Sequence, residues 1–239
     1  MSHFFAQTEN GIAYLTEEDL YHAEKSLRLK AGESITLAAG GKKYGAKFDP
    51  ANRYKLSELL PDPEPGLQVT LFQGIPKGDK METIVQAATQ CGVFSVVPVL
   101  FRRCVSQWDE KSAVKKTARL QKIALEAAKQ SGRCAVPVIG TPVSPEAIPV
   151  ENFDAVLMPW EESARQGQEG LRTWWSTQAV PPSTAALIIG PEGGIDEAEA
   201  RALTGRGAVH VSLGKRIFRT ETAGFAALAA LMLLSGDLE

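Results

Sequence analysis

The sequence predicts an α/β protein, a parallel-sheet domain preceded by a small β-rich domain. Three observations carry that expectation. From Val69 onward short apolar runs alternate with helical patterns, whereas residues 1 to 68 hold only brief apolar pieces broken by glycine and charge. Between the two, Pro61-Asp62-Pro63-Glu64-Pro65-Gly66 reads as a stiff, extended linker. Late in the chain, two apolar runs each end in a glycine-bearing loop, the arrangement in which open α/β sheets present backbone groups to ligands.

Composition sets the frame. With 239 residues, 44% hydrophobic and 23% charged, the chain can bury a sizeable core. No apolar run reaches the roughly 18 residues of a membrane span. Met1-Ser2-His3-Phe4-Phe5 lacks the basic start and apolar stretch of a signal peptide, and cysteines are few, so a reducing cytoplasm is expected. Cys91, Cys104 and Cys134 fit no metal spacing, nor do His3, His22 and His210, so structural cysteines and no metal are expected.

Net charge is only −2, but its distribution is uneven. Phe101 to Ala135 carries nine Lys/Arg against three Asp/Glu, whereas Ser144 to Ala200 carries two against ten. A polarised surface can steer a polyanion to one side.

Within residues 1 to 68, Ile12 to Tyr14, Ile35 to Leu37 and Tyr44 to Phe48 read as short strands. A helix is expected from Glu17 to Leu27, opening at Thr16, packed on a small barrel. Arg28 and Lys30 follow that helix as solvated charges, since bases and acids balance over residues 1 to 60.

The second domain spans residues 69–239. Val69 to Phe72 reads as its first strand, leading into Gln73-Gly74-Ile75-Pro76-Lys77-Gly78. Asp79, with Glu82 three residues on, predicts a capped helix to Gln90, with Gly92 just past its end. Val93 to Val99 is a second strand. Ser112 is expected to cap a helix from Ala113 to Ser131, whose Leu120, Ile123, Ala124, Ala127 and Ala128 form an apolar stripe. Lys115, Arg119, Lys122 and Lys129 share another face within about 80° of arc, with Arg133 just beyond. That face is either a solvated helix surface or, with Arg102 and Arg103 upstream, a phosphate-tracking one.

Asp154 to Met158 predicts a buried strand ending at Pro159-Trp160-Glu161-Glu162. Its two carboxylates either open a helix from Ser163 to Ser176, where negative charge suits the dipole, or do acid–base work. Ala185 to Ile189 is the next strand and breaks into Gly190-Pro191-Glu192-Gly193-Gly194. A helix from Asp196 to Leu203 follows, then a strand from Val209 to Leu213 ending in Gly214-Lys215-Arg216. Arg219-Thr220-Glu221-Thr222 stands before an apolar helix from Ala223 to Leu234, read as a core helix or a buried interface.

Common alternatives are absent. There is no G-x-x-x-x-G-K-[ST], no G-x-S-x-G and no G-x-G-x-x-G. Instead Ile189-Gly190-Pro191-Glu192-Gly193-Gly194, followed by Ser212 through Ala223 (Leu213-Gly214-Lys215-Arg216-Ile217-Phe218-Arg219-Thr220-Glu221-Thr222), resembles the RsmE family. These are S-adenosylmethionine-dependent SPOUT methyltransferases acting on N3 of a uridine in 16S ribosomal RNA. Lys77-Gly78-Asp79-Lys80-Met81-Glu82 and Glu126 to Arg133 are similar to further family signatures. His22 with Leu27 to Gly32 is similar to the signature of its PUA-like RNA-binding barrel. Departures fall at Ser26, Ala87, Gln90, Arg102 and Cys104.

The resemblance implies a trefoil-knotted second domain, a homodimer and a small-subunit RNA partner. It places S-adenosylmethionine on three loops. These are Met158, Pro159, Trp160 and Glu161; Ile189, Gly190, Pro191, Glu192 and Gly193; and Leu213, Gly214, Ile217, Arg219, Thr220, Glu221, Thr222 and Ala223. It implies RNA contacts at Arg28, Lys30, Lys77, Arg103, Arg119, Lys122 and Arg133. Arg219, Thr220 and Glu221 are the expected catalytic residues. Arg219 would steady a uridine oxyanion or a phosphate, and Glu221 would accept the N3 proton, fix Arg219 or only cap the helix. A SPOUT enzyme for another base or ribose, or an RNA binder without activity, are the competing readings.

Overall fold

The structure is a computed structural model describing residues 1–56, 58–160 and 169–238. Contacts divide the chain into two units: residues 1–64 with 126–136, and residues 65–125 with 137–239. Residues 126–136, expected in the second domain, group with the first unit.

The first unit holds seven short strands. β1 (Ser2–Phe5) runs parallel to β4 (Ser34–Ala39), which continues antiparallel to β5 (Lys42–Lys47) and then β7 (Glu58–Leu59). β2 (Gln7–Glu9), β3 (Ile12–Tyr14) and β6 (Tyr54–Lys55) form a second, antiparallel sheet. Phe4, Ala13, Leu15, Ile35, Leu37, Phe48 and Tyr54 share one core, with Ala23 entering it from the helical side. That helix, α1 (Glu17–Tyr21), starts where the Thr16 hydroxyl accepts the Asp19 N–H at 3.1 Å, and it widens into a π-helical turn over His22–Ser26.

The second unit is a six-stranded, wholly parallel sheet. Its strands are β8 (Gln68–Gly74), β9 (Ser95–Val99), β10 (Val138–Ile139), β11 (Ala155–Pro159), β12 (Thr184–Ile189) and β13 (Val209–Val211). Their spatial order is β10-β9-β8-β12-β11-β13. Among the described residues the helices that follow α1 are α2 (Lys80–Gln90), α3 (Glu110–Ser131), α4 (Leu171–Ser176), α5 (Glu197–Gly205) and α6 (Thr220–Ser235).

Strand periodicity explains the layers. On one face Phe72, Val156, Met158, Ala186 and Ile188 pack with Ala200 and Leu203 of α5. On the other, Leu71 and Gln73 of β8 lie against Gly224 of α6. Because both faces are covered, Ala185 to Ile189 are all buried, and a continuous apolar run is what such a strand requires. Each large aliphatic there contributes about 1.5–3 kcal/mol. The α6 stripe Thr220, Gly224, Ala227, Leu228, Leu231 and Met232 faces the core, while Phe225 and Leu233 are exposed.

Helix starts differ from the sequence reading in three places. Asp79 makes no side-chain cap: the Glu82 N–H goes to the Asp79 backbone carbonyl at 3.0 Å, and the Glu82 carboxylate pairs with Arg119 at 2.8 Å. Asp109, not Ser112, opens α3: its carboxylate accepts the Ser112 N–H at 2.7 Å, and the helix begins at Glu110. α6 begins at Thr220 rather than Ala223, so the polar quartet is its cap and first turn. A full capping box does occur at Asp196 and Glu199.

At the far end of α6, Asp237 accepts the Gly66 N–H at 2.8 Å and the Leu67 N–H at 3.2 Å, so the last turn is pinned to the entry of β8. No helix among the described residues is long and apolar enough to cross a membrane. All three cysteines are buried thiols, and burial pushes that of Cys134 up to about 11.

Candidate active site

Three strand ends open into one cavity of about 310 Å³. β11 delivers Pro159 and Trp160, β12 delivers Ile189 to Glu192, and β13 delivers Val211 with the loop to Ala223. The Gly190 loop is held tight by a Gly194 N–H donated to the Pro191 carbonyl at 2.9 Å. Gly194 needs φ +73°, a conformation that glycine adopts without strain.

Of the residues expected to hold a cofactor, Pro159, Trp160, Ile189, Gly190, Pro191, Glu192, Leu213, Gly214, Ile217, Arg219, Thr220, Glu221 and Ala223 line this cavity. Three others do not. The Met158 side chain is fully buried in the core beneath it. Gly193 faces Arg103, whose backbone oxygen would lie 3.0 Å from a Cβ there. The Thr222 hydroxyl turns back to the Arg219 carbonyl at 3.0 Å. Glu161, with Glu162 and the start of the helix expected from Ser163, lies outside the described residues.

The cavity also takes Arg216 and Phe218, within the expected Leu213 to Ala223 loop, and Lys80, which the sequence does not mark. Lys80 lies in the stretch Lys77 to Glu82, but nothing local signals that it reaches Glu192.

Lys80, Glu192 and Glu221 form a paired cluster in the cavity. The Lys80 ammonium donates to Glu192 at 2.9 Å and to Glu221 at 3.2 Å. Its bond to Glu192 and then that to Glu221 outweigh partial burial and hold its pKa above the ordinary lysine value. Burial alone would raise the Glu192 carboxyl, but Lys80 and the backbone N–H groups of Glu192 and Lys77 more than offset it and bring it below the ordinary range. Glu221 is also lowered, chiefly by its own backbone N–H at the start of α6, with Lys80 and Arg219 adding. Both carboxylates are therefore ionised at neutral pH, and Glu221 is a poor match for a general base, which works best with a pKa near the operating pH.

Trp160 is set from behind. Its ring meets the His210 imidazole edge-on at 5.1 Å between centroids, and His210 Nε2 bonds the Thr204 hydroxyl at 2.8 Å. Burial lowers the His210 pKa, so the ring is neutral at pH 7.

Residues 63–232 match the family model described as an RNA methyltransferase domain. The chain belongs to the RNA methyltransferase family. Within it, the chain is 34% identical to ribosomal RNA small subunit methyltransferase E of Bacillus subtilis, over 93% of this chain and 92% of that one. The Mycobacterium tuberculosis protein of the same name is 30% identical, over 94% and 87%.

Among solved structures, ribosomal RNA small subunit methyltransferase E from Neisseria gonorrhoeae, bound to S-adenosyl methionine, superposes with a TM-score of 0.79 at 31% identity, covering 98% of both chains. A methyltransferase from Legionella pneumophila with bound SAM gives 0.81 at 29%, covering 98% and 97%.

The basic residues expected to meet RNA in this methyltransferase family member are scattered in role. Lys77 is exposed, and its backbone N–H donates to Glu192 at 3.1 Å. Arg103 is exposed beside the Gly190 loop, 3.4 Å from Asp196. Arg119 and Lys122 are exposed on α3, Arg119 being paired with Glu82. In the first unit Arg28, at φ +53°, and Lys30 are exposed.

Arg133 is a correction. It is 6% exposed, with its Nε 3.1 Å from Glu64, whose other oxygen accepts the Cys134 N–H at 2.7 Å. It holds the fold of the first unit and is not open to phosphate. Lys129 is likewise committed, to Asp19 at 2.6 Å.

Proposed function

We propose that this chain transfers a methyl group from S-adenosylmethionine to N3 of a uridine in the 16S RNA of the small ribosomal subunit. The observation that carries the reading is the convergence of both glycine motifs and the Pro159-Trp160 strand end on one cavity. The cavity suits that cofactor. Ile189, Leu213, Ile217 and Trp160 offer apolar wall, while the backbone of Gly190 to Glu192 and the start of α6 offer polar groups.

When bound, the cofactor supplies an electrophilic methyl group, so neither metal nor protein nucleophile is needed. The residues of the chain bind and orient. Holding the uridine N3 in line with the methyl group lowers the barrier by several kcal/mol, up to about 7–11 in ideal cases. Arg219 at the cap of α6 and Lys80, both lining the cavity, place positive charge where a uridine oxygen turns negative as N3 gives up its proton to solvent. Glu221, ionised and bonded to Lys80, fixes that cation rather than taking the proton. Thr220 donates its hydroxyl to the Gly190 carbonyl at 2.6 Å and ties the two motifs together.

Arg103, Arg119, Lys122 and Lys77 are the proposed phosphate contacts in the catalytic unit, and Arg28 and Lys30 those in the PUA-like first unit. A trefoil knot formed by the last strands and α6 completes the reading. So does a homodimer, supported by the exposed Phe225 and Leu233 on α6. A cytoplasmic site of action, where ribosomes are assembled, follows from that substrate.

Isothermal titration with S-adenosylmethionine, then methyl transfer to small subunits lacking the modification, tests the proposal. Binding with methyl appearing on uridine N3 is expected. No binding at millimolar cofactor, or methyl on another atom, would overturn it.

A further inference from the structure

We propose that Gln73 is a positioning residue of the methyl-transfer pocket, setting the gap between the Gly190 loop and the start of α6. The inference rests on the methyltransferase reading above. Gln73 is fully buried on β8 and does not line the cavity. Its amide nitrogen donates to the Thr220 hydroxyl at 2.9 Å and to the Gly74 carbonyl at 3.1 Å. Thr220 has one hydroxyl proton, and it goes to the Gly190 carbonyl at 2.6 Å. Amide, hydroxyl and carbonyl thus form a one-way relay from β8 through α6 to the β12 loop. The Gly74 carbonyl can only accept, so the Gln73 nitrogen must face it, and the direction of the relay is set.

The next residue braces the same loop by contact. A Cβ on Gly74 would sit 2.5 Å from the Pro191 nitrogen, so the end of β8 and the Gly190 loop touch backbone to backbone. Only glycine allows that approach.

What separates a positioning role from a structural one is the other end of the amide. Gln73 Oε1 is buried without a hydrogen-bond partner, beneath Gly224. A buried acceptor left unsatisfied destabilises a fold, and an apolar side chain of similar length would avoid it. Gln73 therefore adds little to stability. Its contribution is the orientation of Thr220 and Gly190, two residues that do line the cavity.

The test is titration with S-adenosylmethionine of wild type, Gln73→Met, Thr220→Val and the double variant, with thermal unfolding alongside. Gln73→Met should bind cofactor about tenfold more weakly, the effect of losing one neutral buried hydrogen bond, with Tm unchanged or raised. The double variant should bind no worse than Thr220→Val alone, since both interrupt one relay. For Gln73→Met at saturating cofactor kcat should stay within about threefold, the loss falling on cofactor binding. Should Gln73→Met fail to fold, Gln73→Leu carries the same expectations.

Cofactor binding within twofold of wild type, additive losses in the double variant, or misfolding of both apolar variants would each overturn the inference. If wild type itself does not bind, the methyltransferase reading fails instead.

Discussion

The Lys80 ammonium lies 2.9 Å from the Glu192 carboxylate, joining residues 112 positions apart, and the same nitrogen reaches Glu221 at 3.2 Å. One cation from the first turn of α2 thereby fastens the two motif loops that frame the cavity. Replacing it strands two carboxylates that repel each other. Lys80→Met should weaken cofactor binding about tenfold, while Lys80→Arg should keep most of it, because charge-assisted bonds survive the exchange. Titration calorimetry on the two variants separates the cases.

Acid should loosen the same fastening. Glu192 and Glu221 have carboxyl groups lowered from the ordinary value of 4.5, so the native state binds fewer protons than the unfolded one. Their contribution to stability is therefore complete above pH 4.5 and is lost as pH falls through the lowered values. The difference in Tm between wild type and Glu192→Gln should be constant from pH 7 to about 5 and should shrink below that. A difference that instead fades between pH 6 and 8 would contradict the assignment.

Arg219 and Glu221 should part company in kinetics. On the proposed mechanism Arg219→Ala removes a charge aimed at a developing oxyanion and should cost on the order of 10²-fold in kcat. Glu221→Gln should cost only about tenfold if, as proposed, the group orients Lys80 rather than moving a proton. Losing a true general base typically costs roughly 10²–10⁴-fold. Single-turnover methyl transfer at saturating cofactor measures both.

Arg133 and Arg103 offer a contrast of another kind. Arg133→Ala leaves Glu64 partly buried without its partner and should destabilise the first unit by about 2–4 kcal/mol, read by denaturant unfolding. Arg103→Ala should leave stability unchanged and weaken binding to ribosomal RNA with a shallower salt dependence.

Much of the fold was legible because burial leaves a local signature. Ala185 to Ile189 is apolar at every position because β12 is covered on both faces, and Asp196 with Glu199 spells its own helix start. The caps that misled did so through competition at a distance. Glu82 looks like part of a box with Asp79 but goes to Arg119 on another helix. The start of α6 was placed three residues late because Thr220 and Thr222 are weak helix formers, and Arg219 caps it without a side-chain bond.

The motif loops marked the cavity, whereas Lys80 and Gln73 did not stand out, because their partners lie 112 and 147 residues away. Arg133 read as one more base in a basic stretch; only the distant Glu64 reveals it as internal.

Asp237 at the end of α6 grips Gly66 and Leu67 at the entry of β8, and β8 finds its neighbour β12 only after most of the intervening chain. The first strand of the sheet and the last helix must meet before either is complete, so the pocket belongs to the late, long-range part of assembly. During synthesis, a chain still short of α6 lacks Arg219, Thr220 and Glu221 and has no cavity to fill. Maturation on the ribosome and competence to bind cofactor would then arrive together, with the last helix.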